Sequence, residues 1–238
     1  MLVFPMAGKG QRFIDEGYNT KKYALPLWKQ TVLHWELNPF AQNNNEKIIF
    51  IGLEDLDEAY LAQECLLLGL RDYEIIKLDR PTKGQAETVY LGTLNYDAEM
   101  ERLYIFNIDT VLNDFSYVSE SDDTDGYIDV TTANGDHWSF AKIDQRDRVL
   151  EVTEKVRISE WCSNGLYYFK KLSLFRESYL KTVKEKKTVN GEYYIAPLFN
   201  ELISAGCVVK VRKIPHSNMV SCGTPSEYIN AKMFRSVE

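Results

Sequence analysis

The stretch "LVFPMAGKGQRF" (residues 2–13) sets the reading of the whole chain. Its apolar start, Leu2 to Met6, reads as a strand covered on both faces, because such strands carry near-continuous apolar runs. The run stops at Gly8-Lys9-Gly10-Gln11-Arg12. Two glycines let the main chain turn tightly and let a ligand approach it. Successive amide N–H groups in such a turn form a nest for an anion, and Lys9 and Arg12 add positive charge. The spacing is not the dinucleotide fingerprint, whose third glycine would fall at Phe13, and it is not a P-loop. Taken alone, the stretch reads first as a tight turn, with an anion-holding loop as the alternative, since a lone G-x-G is a weak signal.

Working outward, "KIIFIGL" (47–53), "YEIIKLD" (73–79) and "RLYIFNID" (102–109) repeat the strand pattern. Residues 31–42, 55–69 and 84–98 between them read as helices. Alternation of this kind predicts a parallel, doubly wound sheet. After Asp109 the pattern changes. "SESDDTDG" (119–126) is an acidic loop. Segments 127–155 and 163–171 read as mixed or antiparallel strands with turns at Asn134-Gly135 and Asp144 to Asp147. Helices at 172–186 and 193–205, a strand at 208–214 and a helix from Pro225 complete the chain. The expected fold is a Rossmann-like three-layer α/β/α sandwich, with a mostly parallel sheet and a small antiparallel sheet on the substrate side. We read one domain over 1–238, with a nucleotide-binding half (1–115) and a substrate-binding half (116–238).

Bulk properties restrict the partners. A net charge of -7 leaves no global basic footprint for nucleic acid. No apolar run approaches the ~20 residues of a membrane span. Four scattered cysteines, without a C-x-x-C pair, give no zinc signature. With no basic n-region ahead of the first strand, the expectation is a cytoplasmic protein with free thiols. His34, His137 and His216 show no ligand spacing. Trp28 and Trp35 read as core or interface, and Trp138 as a candidate substrate wall. The reading leaves homo-oligomerisation open.

Further motifs raise the anion-holding reading of the first loop. "MAGKGQRF" followed by "GYNTKKYALPL" (17–27) resembles the opening of the sugar-phosphate nucleotidyltransferases. "RPTKGQAETV" (80–89), "FNIDT" (106–110), "VTEKVRISEWCSNGLYYF" (152–169), "GEYYIAPLFNELI" (191–203) and "CGTPSEYINA" (222–231) resemble later segments of that family, in the same order. The resemblance implies transfer of a nucleoside monophosphate from a triphosphate to a phosphorylated small molecule, with release of pyrophosphate. It suggests a sugar phosphate used for a surface or capsule polysaccharide. It also implies Mg²⁺ as cofactor.

Site residues follow from the same resemblance. Arg12 and Lys22 would be catalytic cations. Ala7, Gly8, Lys9, Gly10, Thr82, Gly84, Gln85 and Ala86 would bind the nucleotide. Asn107, Glu154, Lys155, Asn164, Gly165 and Glu192 would meet the acceptor, with Lys155 on its phosphate. Asp109 would hold the metal. Such chemistry needs little covalent help: backbone N–H groups, cations and a metal neutralise charge as pyrophosphate leaves. Each residue also has a plainer reading. Arg12 and one of Lys21 or Lys22 could be solvated charges, Asp109 a turn former, Lys155 a surface partner of Glu154, and Glu192 a first-turn helix residue.

Two departures stand out. Lys21 replaces the family's proline, and Ser221 stands where a second metal-binding Asp is expected. Mg²⁺ accepts few protein ligands. Water or phosphate oxygens then complete its shell. Alternatives are a cytidylyltransferase acting on phosphocholine, glycerol phosphate or a phospho-amino acid, and a non-catalytic nucleotide-binding regulatory protein. A glycosyltransferase ranks lower, since "NIDT" supplies one Asp rather than a D-x-D pair.

Overall fold

In the computed structural model, residues 1–43, 46–118 and 123–234 are described. The first part of the chain runs β1 (Leu2–Pro5), α1 (Gln11–Asp15), the hairpin β2 (Pro26–Leu27) and β3 (Gln30–Thr31), then α2 (Val32–Gln42). It continues through β4 (Ile48–Leu53), α3 (Glu58–Leu67), β5 (Tyr73–Leu78), α4 (Gln85–Gly92) and β6 (Leu103–Phe106). The remainder comprises β7 (Thr110–Leu112), β8 (Gly126–Thr132), β9 (Ser139–Ile143), β10 (Val149–Glu154) and β11 (Trp161–Phe169), then α5 (Leu172–Lys184), α6 (Phe199–Ser204), β12 (Val209–Lys213), β13 (Met219–Ser221) and α7 (Pro225–Phe234). The expected acidic loop lies outside the described residues over 119–122.

Four parallel strands form one side of the main sheet in the order β5-β4-β1-β6. The chain moves one way from β1 to β4 and β5, then returns to the other side for β6. Such a reversal opens a crevice at the carboxyl ends of the two central strands. Here those ends carry Gly8–Arg12 and Asn107–Asp109. Beyond β6 the sheet turns antiparallel: β11 pairs with β6 and with β8, and β12 joins β8 in parallel. The β9–β10 hairpin hooks onto the start of β11 at Cys162. A separate ribbon, β7 with β13, sets Ser221 opposite Thr110.

Period-two alternation explains the layers. Leu2, Phe4, Ile48, Phe50, Tyr104 and Phe106 face α2 and α3, meeting Leu33, Leu37, Phe40 and Leu61. Val3, Ile49, Ile51 and Ile105 face the other way onto Ala86, Val89, Phe175 and Phe199. Each such side chain removed from water contributes about 1.5–3 kcal/mol, so both faces of these strands are committed to packing. A third cluster of Phe13, Leu25, Val32, Val111 and Tyr228 pins the first loop against α7. Thr31 caps α2 by accepting from His34 N, and Asp57 caps α3 by accepting from Tyr60 N.

Two helices depart from their expected bounds. The helix expected at 84–98 ends at Gly92, whose absent side chain leaves room for Ile51; a Cβ there would stand 2.4 Å from Ile51 Cδ1. The helix expected at 193–205 begins later, as a 3-10 turn at Ala196–Leu198 leading into α6. Its first residues are diverted because Tyr193 spends its backbone elsewhere: Tyr193 N donates to Lys83 O (2.6 Å) and Ala86 N donates to Tyr193 O (3.1 Å).

Candidate active site

Two cavities adjoin at the crevice. The larger, about 640 Å³, is lined by the Ala7–Arg12 loop, Lys22, Thr82, Gly84, Gln85 and Asp109. The smaller, about 200 Å³, is lined by Asn107, Trp138, Ser139, Glu154, Lys155, Asn164, Gly165 and Tyr167. Arg12, Gln85, Asp109, Tyr194 and Gly223 line both.

The first loop owes its shape to Gly10. This residue takes left-handed backbone angles (φ 67°, ψ 31°) as the N-cap of α1. That conformation disfavours residues with a Cβ. Phe13 anchors the far side, buried against Tyr18 and Tyr228. Gly8, Lys9 and Arg12 are left exposed above the β1 end. Lys22, in a 3-10 turn at Lys22–Ala24, reaches Asp109: Nζ donates to Oδ2 at 2.7 Å. Lys21 points to the rim instead and pairs with Asp55 at 2.5 Å.

Gly84 closes the other wall. Its φ of 114° and its contact with Tyr193 both require glycine, since a Cβ would stand 2.6 Å from Tyr193 O. Thr82 and Thr88 share a hydroxyl–hydroxyl hydrogen bond at 2.7 Å behind it. Gln85 reaches across to Asn107, its Nε2 donating to Oδ1 at 2.9 Å. Asn107 in turn fits against Gly165, where a Cβ would lie 2.5 Å from its Nδ2.

The smaller cavity is built around a buried acid. Glu154 at the end of β10 accepts from Ser139 Oγ at 2.5 Å. Burial pushes its carboxyl up, against the opposing hydrogen bond from Ser139 and the charge of Lys155. The nearby Tyr167 phenol is pushed up to about 12 by burial and by Glu154. Both therefore present hydroxyl-bearing or readily protonated groups to a ligand.

Of the residues singled out from sequence, all but one line a cavity. Ala86 is the exception: its methyl is buried in the core with Val89, and its amide is held by Tyr193 O. Glu192 lies in the larger cavity, not the acceptor-side one, and accepts from Tyr194 OH at 2.5 Å. Trp138 does line the smaller cavity.

Sequence reasoning passed over three features. Tyr194 stands at the junction of the cavities. Glu227 closes a capping box with Thr224: Thr224 N donates to Glu227 Oε2 (2.9 Å) and Glu227 N to Thr224 Oγ1 (3.2 Å). The spelling Thr-Pro-Ser-Glu carried that signal. Glu36 is the third. It is fully buried, and among the described residues neither carboxylate oxygen makes a hydrogen bond of good geometry; the Lys22 charge and the Thr110 amide offset its burial in part. Burial, reinforced by Asp109, pushes its carboxyl well above the ordinary range. It falls on the apolar face of α2 with Leu33, Leu37 and Phe40, a position legible from helical spacing.

A divalent cation would find hard oxygen donors here. Asp109 Oδ2 and Glu227 Oε2 both face the space a Cβ on Gly223 would take, at 3.2 and 3.4 Å from it. That open cradle suits Mg²⁺, which binds through one or two carboxylates and substrate phosphates. Among the described residues, no group of three or more His, Cys, Asp or Glu is placed to hold a metal alone. No described helix is long and apolar enough to cross a membrane.

No protein-family model matches the chain, and no curated protein matches it. Solved structures do. A nucleoside-diphosphate-sugar pyrophosphorylase from Vibrio cholerae RC9 is 35% identical, over 98% of this chain and 100% of that one, with a TM-score of 0.90. The inositol-1-phosphate CTP transferase of T. maritima shares the fold at 13% identity, over 100% of this chain and 96% of that one, with a TM-score of 0.74.

Proposed function

This chain belongs to the sugar-phosphate nucleotidyltransferase family, and on that premise we propose that its larger cavity takes a nucleoside triphosphate and its smaller one a sugar phosphate. The chain is a nucleotidyltransferase: it transfers a nucleoside monophosphate to a phosphorylated small molecule. The observation that supports the finer reading is the junction. Arg12, Gln85, Asp109, Tyr194 and Gly223 line both cavities, so two phosphate-bearing ligands would meet over the Lys22–Asp109 pair.

In this reading the Gly8–Gly10 backbone and Arg12 would hold the β- and γ-phosphates, and Lys22 would lie near the α-phosphate. Thr82, Gly84 and Gln85 would meet the base. Lys155 would grip the acceptor phosphate while Glu154, Asn107, Asn164 and Gly165 meet its hydroxyls. An oxygen of the acceptor phosphate attacks the α-phosphorus, and the bond to the β-phosphate oxygen breaks, releasing pyrophosphate. Asp109 would hold Mg²⁺, which when bound neutralises phosphate charge. The side chains do the rest by positioning and charge complementarity.

A sugar fits the smaller cavity because Ser139, Tyr167, Glu154 and Asn107 offer several donors and acceptors to hydroxyl groups. The similarity to the Vibrio protein, described as acting on a nucleoside-diphosphate sugar, supports the same class. The product would then be a precursor for a surface polysaccharide, made in the cytoplasm.

The test is phosphate release in the presence of Mg²⁺ and inorganic pyrophosphatase. ATP, CTP, GTP, UTP and dTTP are offered in turn against pooled sugar 1-phosphates, phosphocholine, glycerol phosphate and phospho-amino acids. Release with one triphosphate and the sugar 1-phosphates is expected. Turnover only with a non-sugar phosphate would overturn the sugar reading. Triphosphate binding without release would count against the assignment of both cavities.

A further inference from the structure

We propose that Tyr194 is the positioning residue for the acceptor phosphate, holding the Lys155 ammonium at the junction of the two cavities while Glu192 anchors its hydroxyl. The proposal rests on the reading of Lys155 as the ligand of that phosphate.

Lys155 follows β10 directly and takes a left-handed conformation (φ 59°), uncommon for a residue with a Cβ. Its amide donates to Trp138 O at 2.9 Å, which fixes the turn and lifts the side chain off the sheet. A lysine stem has four rotatable bonds, and an untethered ammonium would sample a wide volume. Here it does not. Nζ lies 4.3 Å from the centroid of the Tyr194 ring and donates to the Tyr194 hydroxyl. The hydroxyl in turn donates to Glu192 Oε2 at 2.5 Å. One of three ammonium donors is thus used, leaving two for a phosphate.

Tyr194 is itself held from behind. The preceding residue, Tyr193, is buried, and its backbone is clasped by Lys83 and Ala86. Tyr194 therefore stands on a segment tied to the wall of the larger cavity while its ring serves the smaller one. Burial and the adjacent Glu192 charge raise the phenol above its ordinary pKa, so it remains a donor to that carboxylate.

Inorganic phosphate, added with the first loop already filled by saturating pyrophosphate, is a suitable probe, since it carries the group the acceptor must bring and nothing else. Its affinity is measured by calorimetry for the wild type, Lys155→Met, Tyr194→Phe, Tyr194→Leu and the double variant Lys155→Met/Tyr194→Phe. Loss of one oriented hydrogen bond weakens binding by about threefold to tenfold, and that is the expectation for Tyr194→Phe, with an unchanged thermal midpoint. Tyr194→Leu removes the ring as well and should approach Lys155→Met. In the Lys155→Met background, Tyr194→Phe should have no further effect. If Lys155→Met weakens phosphate but Tyr194→Phe does not, or if the two losses simply add, the positioning role of Tyr194 is wrong and the reading of Lys155 survives. If Lys155→Met binds phosphate like the wild type, the reading of Lys155 fails and takes the proposal with it.

Discussion

The larger cavity is walled by short loop segments that are exposed or half-buried: the Gly8–Arg12 loop, Lys22 and the Thr82–Gln85 turn. The smaller one is walled by side chains from distant strands, with Glu154 and Asn164 buried and Ser139 reaching Glu154 from a neighbouring strand. The difference matches the ligands proposed for them. A polyphosphate is met by backbone N–H groups and cations, which a short loop supplies by itself. The hydroxyl groups of a sugar phosphate need directional hydrogen bonds, and those require partners assembled from several elements.

Four substitutions probe the contrast. Asp109 is common to both cavities, so Asp109→Asn should lower kcat by about a hundredfold to a thousandfold, the usual loss when a charge-stabilising group is removed. A steady-state assay that showed loss against only one ligand would assign Asp109 to a single cavity. Gly84→Ala should come next. Its φ and the close Tyr193 carbonyl make the Cβ doubly unfavourable, at about 2–3 kcal/mol or more in chemical denaturation. An unchanged midpoint would mean that the clasp between the two walls is loose.

Glu36 is buried within reach of the Asp109 and Lys22 charges, and Glu36→Met should stabilise the fold by about 1–3 kcal/mol at neutral pH. The sign with pH is specific. The folded carboxyl lies above its ordinary value of 4.5, so the folded state binds the proton more tightly than the unfolded chain. The wild type is least penalised below 4.5 and loses stability as pH rises toward the folded value. The advantage of the Met variant should therefore widen with pH in thermal melts. A gap that stayed constant would show that Glu36 does not titrate with folding. The smallest effect belongs to Lys21→Ala. Its partner Asp55 is exposed, so the change should alter stability by less than about 0.5 kcal/mol. A large fall in kcat would move Lys21 from the rim into the triphosphate cavity.

Much of the architecture was legible before the structure. The near-continuous apolar runs announced strands covered on both faces, and β1, β4 and β6 are such strands, whereas β5, at the sheet edge, is half-buried. The helix expected at 31–42 matches α2 because Val32, Leu33, Leu37 and Phe40 repeat at helical spacing. Helix ends were less legible where a tertiary contact intervened. Nothing local says that α4 must stop where Gly92 meets Ile51, or that Tyr193 will turn its backbone toward Lys83.

The cavities divide along the same line. Glycine and charge spacing within one short segment is a local property, so the first loop could be singled out from the chain, whereas Asp109 was picked out by the family resemblance. Nothing local set Tyr194 apart, and Glu192 seemed to belong with the acceptor. Their roles emerge only when residues 39 positions apart, Lys155 and Tyr194, are brought into hydrogen-bond contact. What the sequence determined by itself was the layered α/β sheet and an anion-suited loop at its switch point, because hydrophobic periodicity and backbone freedom are encoded locally. What only the tertiary structure decided was the acid-and-hydroxyl pocket, the Lys22–Asp109 pair and the buried Glu36, because burial and long-range hydrogen bonds arise only when distant strands are packed together.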